Sequence, residues 1–198
     1  MGRVSDEGLP DWRKLAQAWH ARFGTASLAD GARFAQAVGD QCDDSRLEVR
    51  LGATYVDVAT RDLAVAEHIS AIATEQRLAA DPSAVAQLEV ALDTADLVEI
   101  GPFWAAVLTG SADAFTGNDI IDPTGRVPNL WFQGTTPHEP PRQRFHLDLW
   151  VPPEVVPARI QAALAAGGKV VYDDEAPAFT VLADPQGNKV CLCTSEGR

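Results

Sequence analysis

The stretch Arg144-Phe-His-Leu-Asp-Leu-Trp-Val151 alternates strictly between two kinds of side chain. Phe145, Leu147, Leu149 and Val151 face one way, and His146, Asp148 and Trp150 face the other, the period-two pattern of a strand buried on one side. Further along, Ala183-Asp-Pro-Gln-Gly-Asn-Lys-Val-Cys-Leu-Cys193 reads as a turn over Asp184 to Asn188, followed by a strand from Lys189 to Cys193. Between them lie a helix-length segment, Val155 to Ala166, capped by Gly167-Gly168, and two short strand-like runs, Val170 to Tyr172 and Phe179 to Leu182.

The same order occurs once before. Leu88 to Asp96 reads as a strand, Leu97 to Leu108 as an amphipathic helix carrying Phe103-Trp104, and Asn129 to Gln133 as a closing strand. Asp96 followed by Phe103-Trp104, together with His146-Leu-Asp-Leu149 and the Asp184-Pro-Gln-Gly-Asn188 turn, makes residues 88–195 similar to the vicinal-oxygen-chelate fold of the glyoxalase, bleomycin-resistance and dioxygenase superfamily. The resemblance implies paired βαβββ modules. It also implies up to four inward-facing metal ligands, one from the first and last strand of each half, and places Glu89, Gln133, His146 and Cys191 there. Glu89 and His146 stand at matching points ahead of their helix-entry residues, Asp96 and Pro153. Carboxylate, amide oxygen and imidazole suit a divalent Zn, Ni, Mn or Fe ion, whereas a thiolate at the fourth position favours zinc. The implied chemistry is Lewis-acid polarisation of vicinal oxygens, of lyase or dioxygenase type. Branches of the superfamily bind small molecules without metal, so a metal-free cavity stands beside that reading.

Trp104, Trp131, Phe132, Trp150, Tyr172 and Phe179 fall in this region beside Gln133, His146 and Asp148. An apolar cup with a few polar groups is the usual form of a small-molecule site. The expected ligand cavity comprises Gln133, His146, Asp148, Trp131 and Trp150, with Trp104 assigned to the core. The proline-rich crossover from Thr135 to Arg144 borders it, and Arg142 and Arg144 are read as solvated cations, with reception of an anion as the alternative.

Residues 9–80 read as a small α+β unit. Leu9-Pro-Asp-Trp12 is a turn, Trp19 to Ala26 has strand character, and Ser27-Leu-Ala-Asp30 opens a helix whose apolar stripe is Leu28, Phe34, Ala35 and Val38. Leu47 to Leu51 and Ala53 to Val58 form a hairpin around Gly52. A final helix opens at Thr60-Arg61-Asp62, with Val65, Ile69, Ile72 and Ala73 inward. This order, with the phrase Leu47-Glu-Val-Arg-Leu-Gly-Ala-Thr-Tyr-Val56, resembles the pterin-4a-carbinolamine dehydratases. Members of that family carry His-His-Pro before the hairpin and Thr-His after it; here Asp43-Asp44-Ser45 and Thr60-Arg61 stand instead. Proton transfer near neutral pH is imidazole chemistry, so the resemblance implies the dehydratase fold without 4a-hydroxytetrahydrobiopterin dehydratase activity; the alternative reading retains that activity through Asp43 and Asp44 in an apolar site. His20 and His68 are expected to be ordinary surface or boundary residues. Residues 81–87 form a short linker opened by Asp81-Pro82.

The fold class expected is therefore α+β: a pterin-dehydratase-like module followed by paired βαβββ modules. The net charge of −12 opposes binding to nucleic acid and to anionic membranes. No apolar run reaches the length of a membrane helix, and Met1 to Gly8 lacks a signal-peptide core, so a cytoplasmic protein is expected. Arg (13) outnumbers Lys (3), which points to a GC-rich bacterial genome. Cys42, Cys191 and Cys193 match no zinc spacing and read as reduced, buried thiols. A small-molecule ligand is the expected partner, and both resemblances imply a homodimer.

Overall fold

The structure is a computed structural model that describes residues 8–44, 47–109, 111, 113–122, 124–125, 127–137, 145–165, 168–183 and 189–197. The chain divides into two compact units. The first comprises Met1–Ala86 with Val151–Pro157 and Thr194–Arg198; the second comprises Gln87–Trp150 and Ala158–Cys193.

In the first unit, β1 (Arg13–Leu15), β2 (Ala18–Gly24), β4 (Tyr55–Thr60) and β3 (Glu48–Leu51) form an antiparallel sheet in that order, and β5 (Ala79–Ala80) also pairs with β2. Alternation sets its faces: Trp19, Ala21 and Phe23 of β2 and Val56, Val58 and Thr60 of β4 are buried. Two helices cover that face. Helix α1 (Leu28–Gln41) starts at Ser27, whose hydroxyl oxygen accepts from the Asp30 N–H, and it buries Gly31, Phe34 and Val38. Leu28, expected on the buried stripe, is 55% exposed: as the first helical residue it lies beyond the edge of the core, and the inward position one turn later belongs to Gly31. Helix α2 (Leu63–Glu75) is capped by the Asp62 carboxylate, which accepts from the Ala64 and Val65 N–H groups, and buries Ala66, Ile69, Ile72 and Ala73. Trp12 is fully buried against Phe23, which meets Phe34 edge to face at 5.2 Å between ring centroids. The Trp12 indole N–H donates to Ser70 Oγ at 2.9 Å, and Ser70 Oγ donates to Asp11 at 2.7 Å, so the start of the unit is tied to α2. A Cβ at Gly52 would meet the Tyr55 ring at 2.4 Å, so any other residue there would have to displace that ring.

In the second unit, β6 (Gln87–Thr94) leads into α3 (Leu97–Thr109) through Asp96, whose carboxylate accepts from the Glu99 N–H. Three more strands follow, β7 (Phe115–Thr116), β8 (Asp119–Ile120) and β9 (Asn129–Gly134). The second half repeats the scheme: β10 (Phe145–Trp150), α4 (Val156–Ala165), β11 (Lys169–Tyr172), β12 (Phe179–Ala183) and β13 (Lys189–Cys193). One eight-stranded sheet results, in the order β11-β12-β13-β10-β6-β9-β8-β7. Each half has its first and last strands parallel, and the halves join through the antiparallel pair β6–β10. The mixed sheet-and-helix architecture is the one expected for this region. Short 3-10 turns at Pro82–Ala84 and Pro153–Val155 precede β6 and α4. The core on one face of the sheet contains Leu92, Ala105, Ile120, Leu130 and Phe132, with Trp104 packed against it. The edge strand β11 is irregular, its register shifting between Val170 and Tyr172.

His20 is half-buried, the boundary histidine expected, but its imidazole is strongly perturbed. Burial, and the Arg50 guanidinium near it, lower its pKa to about 4, against 6.5 for a free imidazole. As pH falls below 6.5 the unfolded chain takes up this proton before the folded one, so the stability of the first unit declines from pH 6.5 to about 4. The loss is on the order of 2 kcal/mol, allowing for the ring's partial exposure. Urea denaturation across this range should show the slope, and His20→Gln should flatten it.

Candidate functional site

The faces of the eight-stranded sheet follow from its register, because paired residues on neighbouring strands share a face. Leu88, Val90 and Leu92 of β6 lie on the core face with Leu130 and Phe132 of β9. The opposite face collects the chemistry. One row runs Cys191–Asp148–Glu89–Asn129 across β13, β10, β6 and β9. The next row along places His146 opposite Ala91, and Ala91 opposite Trp131, with Asp119 of β8 beyond it. Trp150 pairs with Gln87 and Cys193 on the other side of the first row, and Asp93 with Gln133 at the far end.

Glu89 and Asp148 are 3% and 5% exposed, directly opposite each other on the two central strands. Two carboxylates held this close and this far from water are costly for folding unless polar groups surround them. One such group is identified: the Trp150 indole N–H donates to Glu89 Oε2 at 3.3 Å. This bond ties the first half of the domain to the second through a tryptophan that is itself 6% exposed. Cys191, Asn129 and Trp131 are half-buried and Cys193 is buried.

The residues singled out in the sequence therefore divide as follows. Glu89, His146, Asp148, Cys191, Trp131, Trp150 and Gln133 all occupy one face, and Tyr172 and Phe179 join it at the β11–β12 edge, stacked at 5.9 Å. Trp104 and Phe132 belong to the core instead. Gln133 is exposed and stands at the level of Asp93, four residues along β6 from Glu89, or roughly 13 Å at a strand's rise. The β9 residue at the level of Glu89 is Asn129, which sequence reasoning missed. Its signal lies in the pairing of β6 with β9, not in either strand alone. The side chain of His146 lies outside the described residues, as do Arg142, Arg144, Gly167 and the Asp184 to Asn188 turn. Among the described residues no three His, Cys, Asp or Glu side chains come together in a metal-holding group.

The indole-to-carboxylate bond generates a direct test. Trp150→Phe keeps an aromatic side chain but removes the donor and the second ring, leaving the buried Glu89 carboxylate short of a hydrogen bond beside a small cavity. The expected cost is about 1–3 kcal/mol in urea denaturation. A loss below about 0.5 kcal/mol would set the bond aside as a stabilising element.

Comparison with known proteins agrees with this geometry. No curated protein matches the chain. Residues 89–193 match the family described as the glyoxalase-like domain. The match opens at the buried carboxylate of Glu89, closes at Cys193 and covers more than half of the 198 residues. The chain belongs to the glyoxalase-like domain family.

Proposed function

We propose that the glyoxalase-like domain binds a small organic molecule on the polar face of its sheet, between the aromatic side chains of Trp131 and Trp150 and the row Cys191–Asp148–Glu89–Asn129. The observation that carries this reading is the burial of Glu89 and Asp148 side by side on that face. A core needs no carboxylates, and the apolar face already supplies the domain's packing. Buried acceptors beside the half-buried Trp131 and the buried Trp150 are what a ligand site requires: area to remove from water and a few polar groups to fix orientation.

The test is intrinsic tryptophan fluorescence of the full chain against small aromatic and aliphatic fragments. Saturable quenching is expected, weakened about tenfold or more in Asp148→Ala, whose loss removes one buried acceptor. Fragments that give only linear, non-saturable quenching across the whole set would sink the proposal. Turnover is a separate matter. A lyase or dioxygenase reaction would need a metal held by Glu89, Gln133, His146 and Cys191, and the separation of Gln133 from the level of Glu89 speaks against that set. The reading favoured is binding without turnover, as in a sequestering or resistance-type protein.

For the first unit we propose a dehydratase-like fold that has lost its chemistry. Asp44 and Thr60, at positions matching two motifs of the resembled family, meet through a 2.7 Å bond from Thr60 Oγ1 to the Asp44 carboxylate. Thr60 is 1% exposed, and its oxygen also accepts from the Asp62 N–H at the start of α2. This pair supports a structural role, closing the hairpin onto the helix. An assay with a carbinolamine pterin is expected to show no acceleration over the uncatalysed dehydration, and a measurable rate lost in Asp44→Asn would overturn the proposal.

A further inference from the structure

A cavity of about 600 Å³ lies in the first unit, where β2 ends, α1 begins and α2 ends. Its wall carries Asp30 and Arg33 of α1, Gln76 and Arg77 at the end of α2, and the apolar side chains of Ala26 and Leu78. The Asp30 carboxylate is engaged at both oxygens. One accepts from the Ser27 hydroxyl at 2.7 Å and the other from the Arg33 guanidinium. That pair fixes Arg33 on the wall and leaves the rest of its N–H fork for another acceptor. The Arg77 guanidinium has no hydrogen-bond or ion-pair partner among the described residues. Two arginines against one aspartate leave the wall with an excess positive charge, in a chain whose net charge is −12.

The backbone singles out Arg77. Helix α2 closes in a two-bond turn: the Arg77 N–H donates to the Thr74 carbonyl at 3.0 Å and the Leu78 N–H to the Ala73 carbonyl at 2.9 Å. This closure puts the residue after the cap in the left-handed region, and Arg77 has φ +56°. Glycine takes that conformation freely, whereas a residue with a Cβ is strained there. The guanidinium returns no contact to the fold, and strain of this kind marks positions retained for another role. We propose that the cavity binds a small organic anion, its phosphate or carboxylate head group held by Arg77, Arg33 and the Gln76 amide. Guanidinium forks match the paired oxygens of either group. The volume falls within the range of roughly 300–1,000 Å³ that takes a whole small molecule, so the anion has an organic body, to which Ala26 and Leu78 offer apolar contact.

The experiment is a titration of the full chain, labelled with nitrogen-15, with phenyl phosphate, benzoate and the uncharged benzyl alcohol, followed by amide chemical shifts. Saturable shifts are expected at Ala26, Gln76 and Leu78 with one or both anions and not with the alcohol. Saturation by phenyl phosphate alone assigns a phosphoryl head group, and saturation by benzoate alone assigns a carboxylate. Arg77→Gly and Arg33→Gln should each weaken binding about tenfold or more, the loss of a charge-assisted hydrogen bond. Because glycine suits the left-handed position, Arg77→Gly is expected to leave the urea midpoint unchanged or raised. No saturable shift with either anion would overturn the proposal, and an equal response to benzyl alcohol would overturn the anionic class. Unchanged anion binding in Arg77→Gly would remove Arg77 from the site, and a lowered urea midpoint in that variant would assign it a structural role; either result overturns the proposal. Shifts confined to the glyoxalase-like domain would also overturn it and count instead for the ligand face there.

Discussion

The antiparallel pairing of β6 with β10 is the constraint on which the glyoxalase-like domain depends. Six consecutive pairs, from Phe145–Leu92 to Trp150–Gln87, turn two four-stranded halves into one sheet. Because side chains alternate across a strand, this single register decides which residues enter the core and which line the opposite face. A one-residue slip of β10 against β6 would carry Asp148 to the apolar face and bring Leu149 round to the opposite one. The hydrophobic pattern on both strands forbids that slip, since Leu92 and its neighbours Leu130 and Phe132 have one layer in which to bury. The carboxylate row is therefore held by the packing of the other face, and the Trp150–Glu89 bond adds a polar lock between the halves.

The first unit obeys the same logic with different parts. Its antiparallel sheet buries Trp19, Ala21, Phe23, Val56 and Val58 beneath two helices, and it keeps the charged pair Arg22–Asp57 on its other side. That pair is doubly hydrogen bonded at 2.6 Å, with the Arg22 guanidinium 4.0 Å from the centroid of the Tyr55 ring. Contacts of this kind between partly exposed groups contribute little to stability beside the buried core that includes Trp12, Phe23 and Phe34.

Much of this fold was legible in the residues. The alternation through Phe145 to Val151 places a strand correctly, the repeat from Leu88 gives the second half its partner, and Ser27 and Asp62 mark helix starts by the chemistry of their caps. What escaped has physical causes. Strands β1, β7 and β8 are two or three residues long, too short for any periodicity to emerge, and the β7–β8 hairpin turns at Gly117, whose φ of +62° no pattern of apolar residues announces. The candidate site was legible as a set of residues on alternating strands but not as rows. Which β9 residue stands beside Glu89 depends on a parallel register set by α3 and the segment after it, and neither Asn129 nor Gln133 carries that information by itself.

The irregular outer strand β11 has a consequence for the behaviour of the protein at high concentration. Val170, Val171 and Tyr172 leave more than a third of their surface open at the rim of the sheet, where unpaired backbone groups invite a strand from another molecule. The break in register between Val170 and Tyr172 interrupts the spacing that such a strand would have to match. At the other rim, β7 offers only two residues. With a net charge of −12 keeping copies apart, both rims are poor templates, so the sheet resists growing into an assembly although its outermost strand is rich in β-forming side chains.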